Sequence, residues 1–230
     1  RPAEIRDSQL HAIGRVSADD ATDCLDLFDA LRVMPHELNP VLHPLRNGEC
    51  ILESAALSSH EISDSDPLFG HLHPVLKPLP LDDAVDSIAA KASADLMTSW
   101  LSAAVKMLQE HPINKARREA GKLELIAPVT KWASNKTELK TFEQSTGLTG
   151  AAVTSSALYR GLAETLGMTQ THIPSDMENI QEDFEARILA GIELSKSHSF
   201  VHIHTKATDE AGHTKSPALK RDVIEALDRA

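Results

Sequence analysis

The sequence predicts an α/β fold, a mostly parallel sheet flanked by helices. Three observations carry this expectation. From Leu123 onward, short apolar runs alternate with amphipathic helical stretches, the rhythm of parallel strands joined by helical crossovers. Between Val85 and Leu108, apolar residues recur at spacings of three and four, one face of a long helix. Apolar residues make up 41% of the chain and aromatics 3%, so a core can be buried, built mainly from Leu, Ile, Val and Ala.

The chain has 230 residues, enough for one large domain or one domain plus a small one. A net charge of −11 argues against a nucleic-acid groove or an anionic membrane as partner. It leaves room for a small anionic substrate, which needs only a local cluster of Arg and Lys. Cys24 and Cys50 have no CxxC spacing and fit a reducing compartment, hence a cytoplasmic protein. No apolar run approaches the ~20 residues of a membrane span, and no signal peptide is visible. The chain opens at Arg1 without Met and stops inside an amphipathic helix. Both ends are therefore expected to be cut from a longer protein.

Taken in order, Ser17 with Asp20 three residues on reads as the start of a helix. Ala21, Leu25 and Phe28 form its expected apolar face, and it ends before Pro35. The segment 35–81 is rich in Pro, which excludes a long helix. Asn47-Gly48 marks a hairpin turn running into a strand. His71 and His73 form an H-x-H that reads most simply as exposed loop histidines. Asp82 or Asp83 should cap the long helix, with Val85, Ile88, Ala92, Leu96, Trp100, Ala104 and Leu108 inside. His111-Pro112 ends it, and a basic turn with Lys115, Arg117 and Arg118 follows. Arg can grip phosphate or carboxylate in two places, although a basic turn at a helix end is also favoured by the helix dipole.

Leu123–Val129 reads as a strand, and Gly150–Val153 as a short buried one. Ser155 or Ser156 caps a helix with Leu158, Leu162 and Leu166 inside, stopped by Gly167. Thr171–Ile173 is a further strand. The helix over 177–196 should bury Ile180, Phe184, Ile188 and Ile192.

The chemistry concentrates in Phe200–His213, FVHIHTKATDEAGH. Phe200, Val201 and Ile203 predict a buried strand, followed by a loop that carries Asp209 and His213. In open α/β sheets ligands sit at the carboxyl ends of strands. A carboxylate and an imidazole together suit a divalent ion, and Gly212 would let such a loop turn tightly. His202 and His204, two apart, share one face of the strand.

This stretch resembles a motif of the archaeal-type cofactor-independent phosphoglycerate mutases, within the alkaline phosphatase superfamily. That family has a strand ending in His, four residues, then Asp-Glu-Ala-Gly-His. Here these are His204 and Asp209-Glu210-Ala211-Gly212-His213. The helix that follows in the family, with Lys and then Ile-Glu-x-x-Asp, is matched by Lys220, Ile224, Glu225 and Asp228. Further matches are Gly14-Arg15, Asn114, Arg117, Gly121, Gly161 and Leu166-Gly167-Met168. The resemblance covers most of 60–230 and, more loosely, 14–60.

It implies an alkaline-phosphatase-like core with part of a smaller inserted α+β domain. Residues 1–67 would belong to the inserted domain and 68–230 to the metal-binding core. It implies interconversion of 3-phosphoglycerate and 2-phosphoglycerate by a serine held by two divalent ions, manganese, magnesium or zinc. The serine and the remaining ligands are expected outside this chain, so residues 1–230 alone are expected to be inactive. Asp209 and His213 are the implied metal ligands. Arg15, Asn114, Arg117 and His204 are the implied contacts to a small phosphorylated carboxylic acid.

The sequence departs from the family pattern at four places. Leu10–Ile13 lacks two arginines, Lys131–Ser134 and Pro174–Met177 lack glycines, and Thr214-Lys215 stands where an acidic residue is common. A divergent phosphatase or phosphotransferase therefore stays open, as does a degenerate homologue. An unrelated metal hydrolase would require His202, His204, Asp209 and His213 to converge on one ion.

Overall fold

A computed structural model describes residues 1–45, 48–67 and 73–230. Arg46, Asn47 and His71 lie outside the described residues. The chain divides into two compact units, Arg1–Lys136 and Thr137–Ala230. The expected boundary between 67 and 68 falls within the first of them.

The first unit opens with an antiparallel hairpin of β1 (Ala3–Arg6) and β2 (Gln9–Ala12). Asp7 and Ser8 both take positive φ, the twist that a two-residue hairpin turn requires. A 3-10 turn over Ala18–Asp20 leads into α1 (Ala21–Arg32). A second antiparallel hairpin follows, β3 (Val41–Pro44) with β4 (Cys50–Glu53), flanking the expected turn at Gly48. The long helix α2 (Ser87–Glu110) and the short α3 (Pro112–Glu119) complete the unit. Leu27, Leu31, Leu42, Ile62, Met97, Trp100, Leu101, Leu108 and Leu125 bury one shared apolar cluster.

Several expectations change here. In α1 the buried line is Cys24, Leu27 and Leu31, while Leu25 is exposed. Helix α2 is capped by Asp86, whose carboxylate accepts from the Ile88 and Ala89 amides. Val85 therefore lies before the helix, and Val85 and Ile88 are both exposed. The buried face is instead Ala90, Ser93, Ala94, Met97, Trp100, Leu101, Ala104 and Leu108. Apolar spacing identifies a helix, but two neighbouring stripes satisfy it equally well. The neighbours available for packing decide which one turns inward. The basic turn is helical: Pro112 occupies the first turn of α3, where its missing N–H costs nothing. Leu123–Val129 is not a regular strand. It touches β1 through a single bridge, Ala3 to Glu124.

The second unit is a three-stranded parallel sheet with helices between its strands. It begins with α4 (Phe142–Thr146), whose Thr141 and Gln144 form a reciprocal cap. Then come β5 (Gly150–Thr154), α5 (Ala157–Thr165), β6 (Thr169–His172), α6 (Ile180–Ser195) and β7 (Phe200–Ile203). Two helices end the chain, α7 (Ala207–His213) and α8 (Pro217–Arg229). The strand order is β6-β5-β7, all parallel, so β5 is central. Its small residues Ala151, Ala152 and Val153 are fully covered. Phe184 packs with Ala207, Ala211, Val223 and Ala226.

The parallel α/β expectation holds in this unit. Two local readings do not. Strand β7 is an edge strand, so Phe200 and Ile203 are exposed rather than buried. Leu158, Leu162 and Ile192 also face outward, while Ala163 and Gly191 take the inward positions. Among the described residues no helix is long and apolar enough to cross a membrane.

Candidate functional site

The residues expected to carry chemistry in the second unit lie at and just beyond the carboxyl end of β7. Asp209 and His213 do not sit on a loop. They lie four apart on α7, one turn of helix, so their side chains project from the same face. Asp209 Oδ2 and His213 Nε2 are 3.6 Å apart, and both side chains are largely exposed. The Lys206 ammonium approaches the same carboxylate at 4.0 Å. Gly212 lies within the helix, so a tight loop turn is not its role. Lys220 of α8 donates to the Thr208 carbonyl and ties α8 to the first turn of α7. Buried Ala207 and Ala211 alternate with the exposed pair and seat α7 on the unit's core.

The donor set fits a divalent ion. Metal–ligand bonds to imidazole and carboxylate are about 2.0–2.2 Å, so a pair 3.6 Å apart spans one ion without rebuilding the helix. The pair stands as two donors: no group of three or more His, Cys, Asp or Glu converges among the described residues. His202 and His204 therefore do not join Asp209 and His213, and the four-ligand hydrolase reading fails.

His204 has a different setting. Its amide donates to the Val153 carbonyl at 2.9 Å, which carries the sheet pairing one residue past β7. Its ring lies on Tyr159, with centroids 3.5 Å apart and planes 25° from parallel. Its Nδ1 is enclosed and has no hydrogen-bond partner. Burial, and then the nearby His202, Arg187 and Lys206, push its pKa below the ordinary imidazole value.

Beside it, α6 carries Asp183 and Arg187, a buried pair that the sequence reading missed. The guanidinium grips both carboxylate oxygens, at 2.8 and 2.7 Å, and also donates to the Pro174 carbonyl. Asp183 Oδ1 accepts from the Asp176 amide. The pair thus holds the loop after β6, where the expected glycines are absent. An Asp and an Arg four apart beside buried Phe184 were the available signal, but most such helix pairs are solvent-exposed.

The other predicted residues belong to the first unit. Arg15 is exposed after Gly14, whose φ is +70°. Asn114 is wholly buried. Its carboxamide donates to the Leu108 carbonyl at 2.8 Å and accepts from the Leu125 amide at 2.7 Å. Arg117 bridges Asp20 and Asp23, both at 2.7 Å, and donates to the Leu123 carbonyl. Lys115 pairs with Glu110 and Arg118 with Glu124. Each cation of the expected basic cluster thus has a carboxylate partner.

A sequence model described as the metalloenzyme superfamily matches residues 39–230. The chain is 36% identical over 175 residues to 2,3-bisphosphoglycerate-independent phosphoglycerate mutase 2 of Methanocaldococcus jannaschii, covering 74% of this chain and 38% of that protein. It is 31% identical over 232 residues to the 2,3-bisphosphoglycerate-independent phosphoglycerate mutase of Metallosphaera sedula, covering 97% of this chain and 54% of that one. The solved cofactor-independent phosphoglycerate mutase from Thermoplasma acidophilum superposes with a TM-score of 0.60 at 25% identity, over 99% of this chain and 57% of that structure. The chain thus spans 38% and 54% of the two relatives' lengths.

Proposed function

The chain belongs to the metalloenzyme superfamily, and on that premise we propose that the full-length protein is a cofactor-independent phosphoglycerate mutase. It interconverts 3-phosphoglycerate and 2-phosphoglycerate, and the second unit contributes to its metal-binding core. The observation that carries this reading is the Asp209–His213 pair. It lies on one helix face beyond a parallel sheet, in a chain whose relatives bear the mutase name.

Asp209 and His213 would hold one divalent ion, through a carboxylate oxygen and Nε2. Bound there, the ion supplies charge neutralisation for a phosphoryl group and activation of a serine hydroxyl. The Asp209 carboxylate would supply an oxygen donor at this position and the His213 imidazole a nitrogen donor. The Lys206 ammonium, 4.0 Å from the Asp209 carboxylate, compensates its charge when no ion is bound. Ala207 and Ala211 hold the α7 backbone so that neither ligand needs to reorganise. We infer that residues 1–230 alone do not turn over substrate, because two ligands do not close a two-ion site.

The test uses the full-length protein with manganese and 3-phosphoglycerate, without added bisphosphoglycerate. Asp209→Ala and His213→Ala are expected to lower kcat/KM by at least about a thousandfold and to weaken metal binding in titration calorimetry. A folded, metal-loaded wild type without turnover overturns the mutase reading. Variants with wild-type metal affinity overturn the ligand assignment.

A further inference from the structure

Tyr159, His204 and His202 form a cluster of nearly parallel rings at the carboxyl end of the parallel sheet. Tyr159 and His204 are in face contact at 3.5 Å. His202 lies beside them, 6.0 Å from His204 and 6.4 Å from Tyr159, and the three interplanar angles are 22°, 25° and 25°. Tyr159 is the chain's single tyrosine. It lies in the first turn of α5, three residues after the N-cap, with its amide donating to Ser156 Oγ at 3.4 Å. It takes no part in the buried apolar clusters, and its ring is spent on an imidazole.

That contact has a consequence for His204. A ring held flat on another cannot rotate about its side-chain torsion without breaking the stack. The backbone is held as well, through the His204 amide and the Val153 carbonyl. Of the two ring nitrogens, Nδ1 is enclosed without a partner, whereas Nε2 is not among the enclosed unpartnered atoms. A buried orphan N–H is rarer in proteins than an under-used acceptor. The neutral ring therefore carries its proton on Nε2, the outward nitrogen, with the Nδ1 lone pair inside. Burial and three neighbouring basic side chains oppose a second proton.

We propose that Tyr159 is a positioning residue that locks the His204 ring, so that its Nε2–H donates a hydrogen bond to an anionic oxygen of the substrate, phosphoryl or carboxylate. The inference rests on the mutase reading for the identity of that substrate. The orientation and tautomer stand on the geometry alone. A neutral donor suits this position: it binds an anionic oxygen and leaves the local charge unchanged during turnover. His202, exposed and 6.0 Å from His204 but only 6.4 Å from Tyr159, lies beside this stack and leaves the far face of the His204 ring clear of it.

The experiment compares wild type, Tyr159→Phe, Tyr159→Ile, His204→Gln and His204→Leu in the full-length, magnesium-loaded protein. Long-range proton–nitrogen NMR reads the His204 tautomer, with inorganic phosphate as the anion probe. The expected wild-type state is Nε2–H, with a signal that shifts on adding phosphate. Tyr159→Phe keeps both the stack and that state. Tyr159→Ile gives an averaged tautomer, loses the phosphate shift and lowers kcat/KM by about tenfold. His204→Gln, which retains an N–H near the Nε2 position, stays within about tenfold of wild type, while His204→Leu falls by about a hundredfold. An Nδ1–H or cationic His204, or a Tyr159→Ile variant with unchanged His204 signals, overturns the proposal. If wild type shows no mutase turnover but the NMR pattern holds, the mutase reading fails and the positioning role stands.

Discussion

Arg187 and Asp183 form a two-pronged ion pair at 2.7 and 2.8 Å, with both side chains only 1% exposed. Taking two charges out of water costs several kcal/mol per ion, and the pair's attraction offsets this only while both partners are present. Arg187→Ala is therefore expected to cost about 3–5 kcal/mol, leaving a buried carboxylate alone. Replacing both residues by Leu or Met is expected to cost far less. The single tyrosine lies in this unit and both tryptophans in the other, so urea unfolding followed by tyrosine emission reports it separately. A single variant within about 1 kcal/mol of wild type would show that the pair is not holding the loop at Pro174.

The Arg117 bridge makes the first unit sensitive to acid. Asp20 has its pKa lowered, first by the hydrogen bond from Ser17 and then by Arg117, against the opposing effect of burial. Folded Asp20 thus keeps its charge to lower pH than unfolded Asp20. The stabilisation is fully present above the unfolded value of about 3.8 and is lost as pH falls through the lower folded value. Tryptophan-detected stability is expected to drop across that window. Ser17→Ala should move the drop to higher pH and Asp20→Asn should flatten it. An acid profile identical in Asp20→Asn would remove Asp20 as the cause.

Gly191 on α6 meets β7 directly. A methyl group there would lie 2.3 Å from Ile203 Cδ1 and 2.9 Å from Cγ1. Alanine gains about 1 kcal/mol in helix propensity over glycine, but overpacking a filled contact costs about 1–3 kcal/mol. The steric term wins, so Gly191→Ala is expected to destabilise the unit by about 1 kcal/mol, and adding Ile203→Val should recover most of it. Tyrosine-detected urea curves for the two variants decide this. A more stable Gly191→Ala would mean that Ile203 relaxes without cost.

The chain order of elements was legible along most of the sequence because periodicity and caps are local. Ser156 as the cap of α5, Gly150–Val153 as a buried strand and His111-Pro112 as the end of α2 all depend on residues within a turn of one another. Facing was less legible. Leu158, Leu162 and Ile192 have the right spacing, yet they point outward while Ala163 and Gly191 point in. Which stripe is buried depends on how the helix docks on the strands beneath it, and no pattern within the helix itself sets that.

The candidate site divides in the same way. By itself the sequence determined that Asp209 and His213 stand four apart beyond a strand, because covalent spacing and motif identity are properties of the chain. Only the tertiary structure decided that α7 is a helix bringing the pair to 3.6 Å. It also decided that Asn114 and Arg117 are engaged by backbone and carboxylate partners, and that Tyr159 lies on His204 across a gap of 45 residues. Such contacts are set by how elements pack, and burial, hydrogen-bond completion and ring stacking are shared among residues that no local pattern links.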